Sequence, residues 1–133
     1  MGKIQARDCI FKLIYEYSFL NRHNPTSIDS FFETENIDDE NKLYVQNSYN
    51  GIIDHYQEIL DIIKLHLEKY SIDKISKIDL SILIVAVYEI CINNNDNYKL
   101  EINEAIELAK KYSNDNSFKF VNGVLAKIVN KDN

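Results

Sequence analysis

The chain has 133 residues, 45% of them apolar and 27% charged, with a formal net charge of −6 at pH 7. That length is enough to bury one good core and short for two, and the apolar share excludes a disordered chain. The acidic balance excludes a protein that coats nucleic acid by bulk electrostatics, because such binding needs many Lys and Arg contacts to phosphate. The expectation is therefore one domain over residues 1–133, with any nucleic-acid site confined to a local patch.

One proline and three glycines leave long stretches without breakers, which points to helices. The first helix is predicted from Lys3 to Leu20, with Ile10, Leu13, Ile14, Tyr17 and Leu20 on one stripe. Asn21 to Pro25 stops it, and Thr26 or Ser27 caps a short helix anchored by Phe31 and Phe32. From Asp38 to Tyr70 the apolar residues keep the helical period, giving one long or slightly broken helix whose weak point is Asn50-Gly51. A connector, Ser71 to Lys77, leads to a segment, Ile78 to Ile92, that is apolar on nearly every side, as the central helix of a bundle should be. A polar loop at Asn93 to Asn97 precedes an amphipathic helix over Leu100 to Tyr112. The turn Asn114-Asp115-Asn116-Ser117 then caps a last helix bearing Phe120, Val121, Val124, Leu125 and Ile128. Gly123 lies inside that helix, where glycine costs about 1 kcal/mol relative to alanine; a tight packing contact is the favoured explanation, with approach of a ligand the other.

The N-terminus carries Lys3, Arg7 and Asp8 and has no long apolar run, so it is no secretory signal, and no window approaches the roughly 20 apolar residues of a membrane span. A cytoplasmic protein is expected. Cys9 and Cys91 lack CxxC spacing and read as reduced thiols in apolar surroundings. His55 and His66 fall about 16 Å apart along one helix and cannot share a metal. Glu101, Glu104 and Glu107, on an amphipathic helix with Lys110 and Lys111, read as a solvated face with i,i+3 and i,i+4 pairs rather than a catalytic carboxylate pair. No nucleophile elbow, phosphate loop or zinc motif is present, so no catalytic residue, metal site or cofactor is expected. Charge is polarised. Six acidic residues and no Lys or Arg lie between His23 and Asn41, whereas cations gather near both ends.

The segments Ile102-Asn103-Glu104-Ala105-Ile106-Glu107-Leu108-Ala109-Lys110 and Lys119-Phe120-Val121-Asn122-Gly123-Val124-Leu125, separated by a short polar turn, resemble the signature of the NusB family. Ala6-Arg7-Asp8-Cys9 through Tyr15, Tyr70 to Lys74, and Asp79 through Glu89 are similar to its first helix, connector and central helix. The resemblance implies an all-α fold of about seven helices in two small packed bundles. It also implies a transcription antitermination factor that works with the RNA polymerase elongation complex, binding boxA-type RNA of nascent ribosomal RNA transcripts together with NusE, a small-subunit ribosomal protein. Matching residue by residue, Tyr15 and Asp79 would face NusE.

Unpaired RNA is read by stacking on aromatics and by hydrogen bonds to splayed bases. Tyr112 and Phe120 flank the polar turn, Asn116 and Ser117 offer polar groups at a helix start, and Lys3, Arg7 and Lys119 would supply charge. These seven are the predicted RNA-binding residues. Asn103 and Asn122 are expected to be buried amides. The family's arginine-rich opening is replaced here by Gly2-Lys3-Ile4-Gln5-Ala6-Arg7, so the alternative reading is an interaction module, a homodimer or a NusE binder, with RNA binding weakened or lost.

Overall fold

The computed structural model describes residues 3–20, 25–35, 37–68, 71–114 and 116–130. Seven α-helices and no strand occur among them: α1 (Lys3–Leu20), α2 (Pro25–Glu35), α3 (Asp39–Asp54), α4 (Tyr56–Leu65), α5 (Lys77–Val87), α6 (Tyr98–Tyr112) and α7 (Ser117–Asn130). A 3-10 turn at Ile72–Lys74 leads into α5, and a π-helical turn at Tyr88–Ile92 prolongs it.

Local chemistry sets the starts. Asp38 accepts from the Asn41 N–H at 2.9 Å to cap α3, and the Ser76 hydroxyl accepts from the Asp79 N–H at 3.1 Å to cap α5. Asn97 Oδ1 accepts from Leu100 N at 3.4 Å at the head of α6. Pro25 opens α2, where its missing N–H and fixed φ are no handicap.

The long helix expected over Asp38 to Tyr70 is broken at His55, whose backbone leaves helical geometry at φ −112°, ψ 19°. The break lies past the Asn50-Gly51 weak point and has a tertiary cause: α3 packs on α1, whereas α4 packs on α5, so the apolar face must change direction between them. Gly51 instead serves a close approach, since a methyl there would lie 2.8 Å from Cε1 and Cζ of Tyr88.

α1, α2 and α3 form one bundle, and α4 to α7 form the other around α5. The two meet along α1 and α5. Every residue from Ser81 to Glu89 is buried, and Ile10, Leu13, Ile14, Ile52, Ile59, Ile63 and Leu125 are among the largest fully buried side chains around that segment. Cys9 is buried and Cys91 half-buried, both free thiols. At the π turn, Asn94 adopts a left-handed backbone, φ 51°, a conformation asparagine tolerates better than most residues.

One ion pair crosses this interior. Arg7 on α1 meets Glu101 on α6 side by side, Nε to Oε1 at 3.1 Å and Nη2 to Oε2 at 2.7 Å, with both side chains buried. Asn95 adds a third donor at 2.7 Å. Breaking a buried pair strands a desolvated charge, so Glu101→Ala should lower unfolding free energy by about 3 to 5 kcal/mol, whereas replacing both partners by apolar residues of similar volume should cost far less. Urea unfolding of the two variants checks this.

Candidate nucleic-acid interface

The turn between α6 and α7 is built around two side chains. Asn114 Oδ1 accepts from the backbone N–H groups of Asn116 at 3.0 Å and Ser117 at 3.1 Å, which caps α7. Asp79, in the first turn of α5, accepts from the Ser113 hydroxyl at 3.0 Å through Oδ1 and from the Ser117 hydroxyl at 3.0 Å through Oδ2. The two hydroxyls are themselves 2.7 Å apart. Asp79 and Ser117 are buried, so this cluster pins the turn to the head of the central helix.

Outside the cluster lies an open cleft of about 260 Å³, lined by Lys74, Ile75, Ser76, Asp79, Asn114, Asn116, Ser117 and Phe120. Asn116 is exposed and Phe120 half-buried, so an amide and an aromatic ring share one wall. The exposed Lys74 also lines the cleft, and the N-terminal end of α7 adds its partial positive charge. Such a cleft can stack a base, bond its edge and meet a phosphate.

The other predicted residues lie elsewhere. Arg7 is committed to Glu101; burial alone would lower its pKa, yet the bond to Glu101 raises it, so it is a fixed cation with its charge cancelled. The Tyr112 hydroxyl donates to Asp8 at 2.6 Å, and its ring stacks on Phe11 at 5.0 Å between centroids. Lys119 is exposed and lines a second cleft of about 550 Å³ with Asn103, Ile106, Glu107, Lys110, Phe118 and Asn122. Asn103 and Asn122 are exposed, not the buried amides expected. The Lys3 side chain lies outside the described residues, as do His23 and Tyr70.

Tyr15 is half-buried in an aromatic row along α1, 6.2 Å from Phe11 and 5.0 Å from Phe19. Phe19 is 55% exposed, with Lys77 5.1 Å above its ring. Asp79, expected beside Tyr15 at a partner surface, is turned inward to the two serines. Lys74, which sequence reasoning did not single out, also lines the cleft; its place in the connector beside the central helix was the available signal.

Among the described residues no group of three or more His, Cys, Asp or Glu side chains could hold a metal ion, and no helix is long and apolar enough to cross a membrane.

Residues 4–130 match the model of the NusB family. The chain belongs to the NusB family. It is 35% identical over 130 residues to the transcription antitermination protein NusB of Clostridium perfringens (strain SM101), covering 96% of each chain. T. maritima NusB is similar in structure at a TM-score of 0.86 and 30% identity, over 98% of this chain and 92% of the other. The NusB chain in a crystal structure of antitermination factors NusB and NusE in complex with dsRNA superposes at a TM-score of 0.88, with 26% identity, over 98% and 99% of the two chains.

Asp8 carries a pH signature at the α1–α6 seam. Burial would raise its pKa, but hydrogen bonds from Tyr112, Lys12 and Lys111 outweigh it and hold the carboxyl below its ordinary value. A carboxyl with a depressed folded pKa contributes stability that is present above the unfolded value, about 3.9, and lost as pH falls through the folded value. Thermal melts below about pH 4 should therefore show a steep loss of Tm in the native protein and a shallower one in Asp8→Asn.

Proposed function

We propose that this chain is a transcription antitermination factor that binds boxA-like single-stranded RNA in nascent ribosomal RNA transcripts, together with NusE and beside the RNA polymerase elongation complex. It acts in the cytoplasm as one RNA- and protein-binding domain, without catalysis. The observation that carries this is the cleft at the α6–α7 turn, where Phe120, Asn116 and Lys74 converge on the start of α7. In this reading Phe120 stacks a base, Asn116 bonds a base edge, and Lys74 with Lys119 meets phosphates. Ser117 holds the turn through Asp79 rather than touching RNA, and Tyr112 and Arg7 hold α1 against α6. Tyr15, in the aromatic row that ends at the exposed Phe19, is the NusE-facing residue.

A second reading is favoured by one observation. The Arg7 charge is spent on Glu101, which leaves few cations for RNA. The chain would then be a helical interaction module, working as a homodimer or through NusE alone.

Fluorescence anisotropy with a boxA oligonucleotide and a scrambled control, each with and without NusE, separates the two. Phe120→Ala should weaken boxA binding by about 1 to 3 kcal/mol, the range for loss of one base–aromatic stack. With about two phosphate contacts the slope of log affinity against log salt should be shallow, roughly −1.4. Equal binding of both RNAs, unaffected by Phe120→Ala while NusE still binds, would favour the interaction module.

A further inference from the structure

Among the described residues nothing around Gly123 requires a glycine. Its backbone φ is not positive, so the conformation suits any residue. A Cβ built on it meets nothing within 4 Å among the described residues, so the packing contact expected from sequence is not there. Glycine is nonetheless the poorest helix former after proline, and this one sits in the middle of α7.

Its position on the helix is specific. Seven residues past Asn116, Gly123 lies nearly in line with it, about 20° off on the helix surface. Lys119 and Phe120, one turn earlier, flank that line on either side. Phe120 lines the α6–α7 cleft and the exposed Lys119 lines the second one, so half-buried Gly123 lies on the ridge of α7 between the two clefts, one turn beyond both residues.

We propose that Gly123 keeps a strip of α7 backbone bare so that the sugar–phosphate chain of RNA seated at Asn116 and Phe120 passes directly against the helix. A strand whose base stacks on Phe120 and whose phosphate meets Lys119 runs along the line between them, and where it continues toward the C-terminal end of α7 it passes over Gly123. Any side chain there lifts the strand from its contacts. The inference rests on the RNA-binding reading above and adds to it the path the strand takes.

The test exploits opposite signs. Gly123→Ala should raise Tm by about 3 °C, because alanine favours the helix and has open space. The same change should weaken boxA binding in the presence of NusE, roughly threefold to tenfold, as expected for loss of about one hydrogen-bond-sized contact. Gly123→Gln, longer but still a good helix former, should weaken it further. A rise in Tm with boxA affinity unchanged in both variants, while Phe120→Ala lowers it, would overturn this inference and leave the RNA site standing. A fall in Tm for Gly123→Ala would overturn it as well, by showing that protein covers the position. Failure of the unaltered chain to distinguish boxA from scrambled RNA would remove the site and this inference with it.

Discussion

The Arg7–Glu101 ion pair is the constraint that sets how the first helix meets α6. It joins residues 94 positions apart, and it fastens the first helix to the head of α6 in the interior of the molecule. Its surroundings are polar by design. Asn95 donates to Glu101, and the charges of Arg7, Glu101 and Glu89 all bear on the nearby Tyr44, whose hydroxyl is pushed well above its ordinary pKa by burial. A carboxylate removed from water needs its lone pairs met, and three hydrogen bonds, two from Arg7 and one from Asn95, do so for Glu101. α6 is thereby held at its start by Arg7 and at its end by Asp8, and it delivers the α6–α7 turn to a fixed place over the central helix.

The same economy shapes the electrostatics. Arg7 is neutralised by Glu101, and Lys12 and Lys111 both approach Asp8, at 3.1 Å and 3.3 Å. The cations of the α1–α6 seam therefore serve folding, and the exposed Lys74 and Lys119 are left lining the two clefts beside the turn. Asp29 and Glu33 on α2, and Asp38, Asp39 and Glu40 at the start of α3, are exposed. Those carboxylates repel an RNA strand while Lys74 and Lys119 attract it, so a net charge of −6 is compatible with a local RNA site.

Much of this was legible in the sequence, and the exceptions share a cause. The bounds of α1 and the buried central helix follow from apolar period and breaker residues, which are local. The break at His55 carries no proline or glycine of its own; it answers to α3 and α4 facing different neighbours. Arg7 reads as a surface cation, and Glu101 as part of a solvated face, because each has its partner 94 residues away. Asp79 reads as a partner-facing acid because nothing in its vicinity announces that Ser113 and Ser117 will fold over it. Asn116 and Phe120, set by a turn and a helix start, were found together as expected, whereas the emptiness around Gly123 and the exposure of Asn103 and Asn122 are properties of the assembled surface alone.

The central claim is that RNA settles at the α6–α7 turn and nowhere near the acidic helices. The most direct measurement is an amide NMR titration of isotope-labelled protein with a boxA oligonucleotide. Shifts concentrated on Asn114, Asn116, Lys119, Phe120 and Lys74, with the amides of Asp29 to Glu33 and Asp38 to Glu40 unmoved, are the predicted result. Shifts centred on α2 and α3, or none at the turn under saturating RNA, would contradict the account.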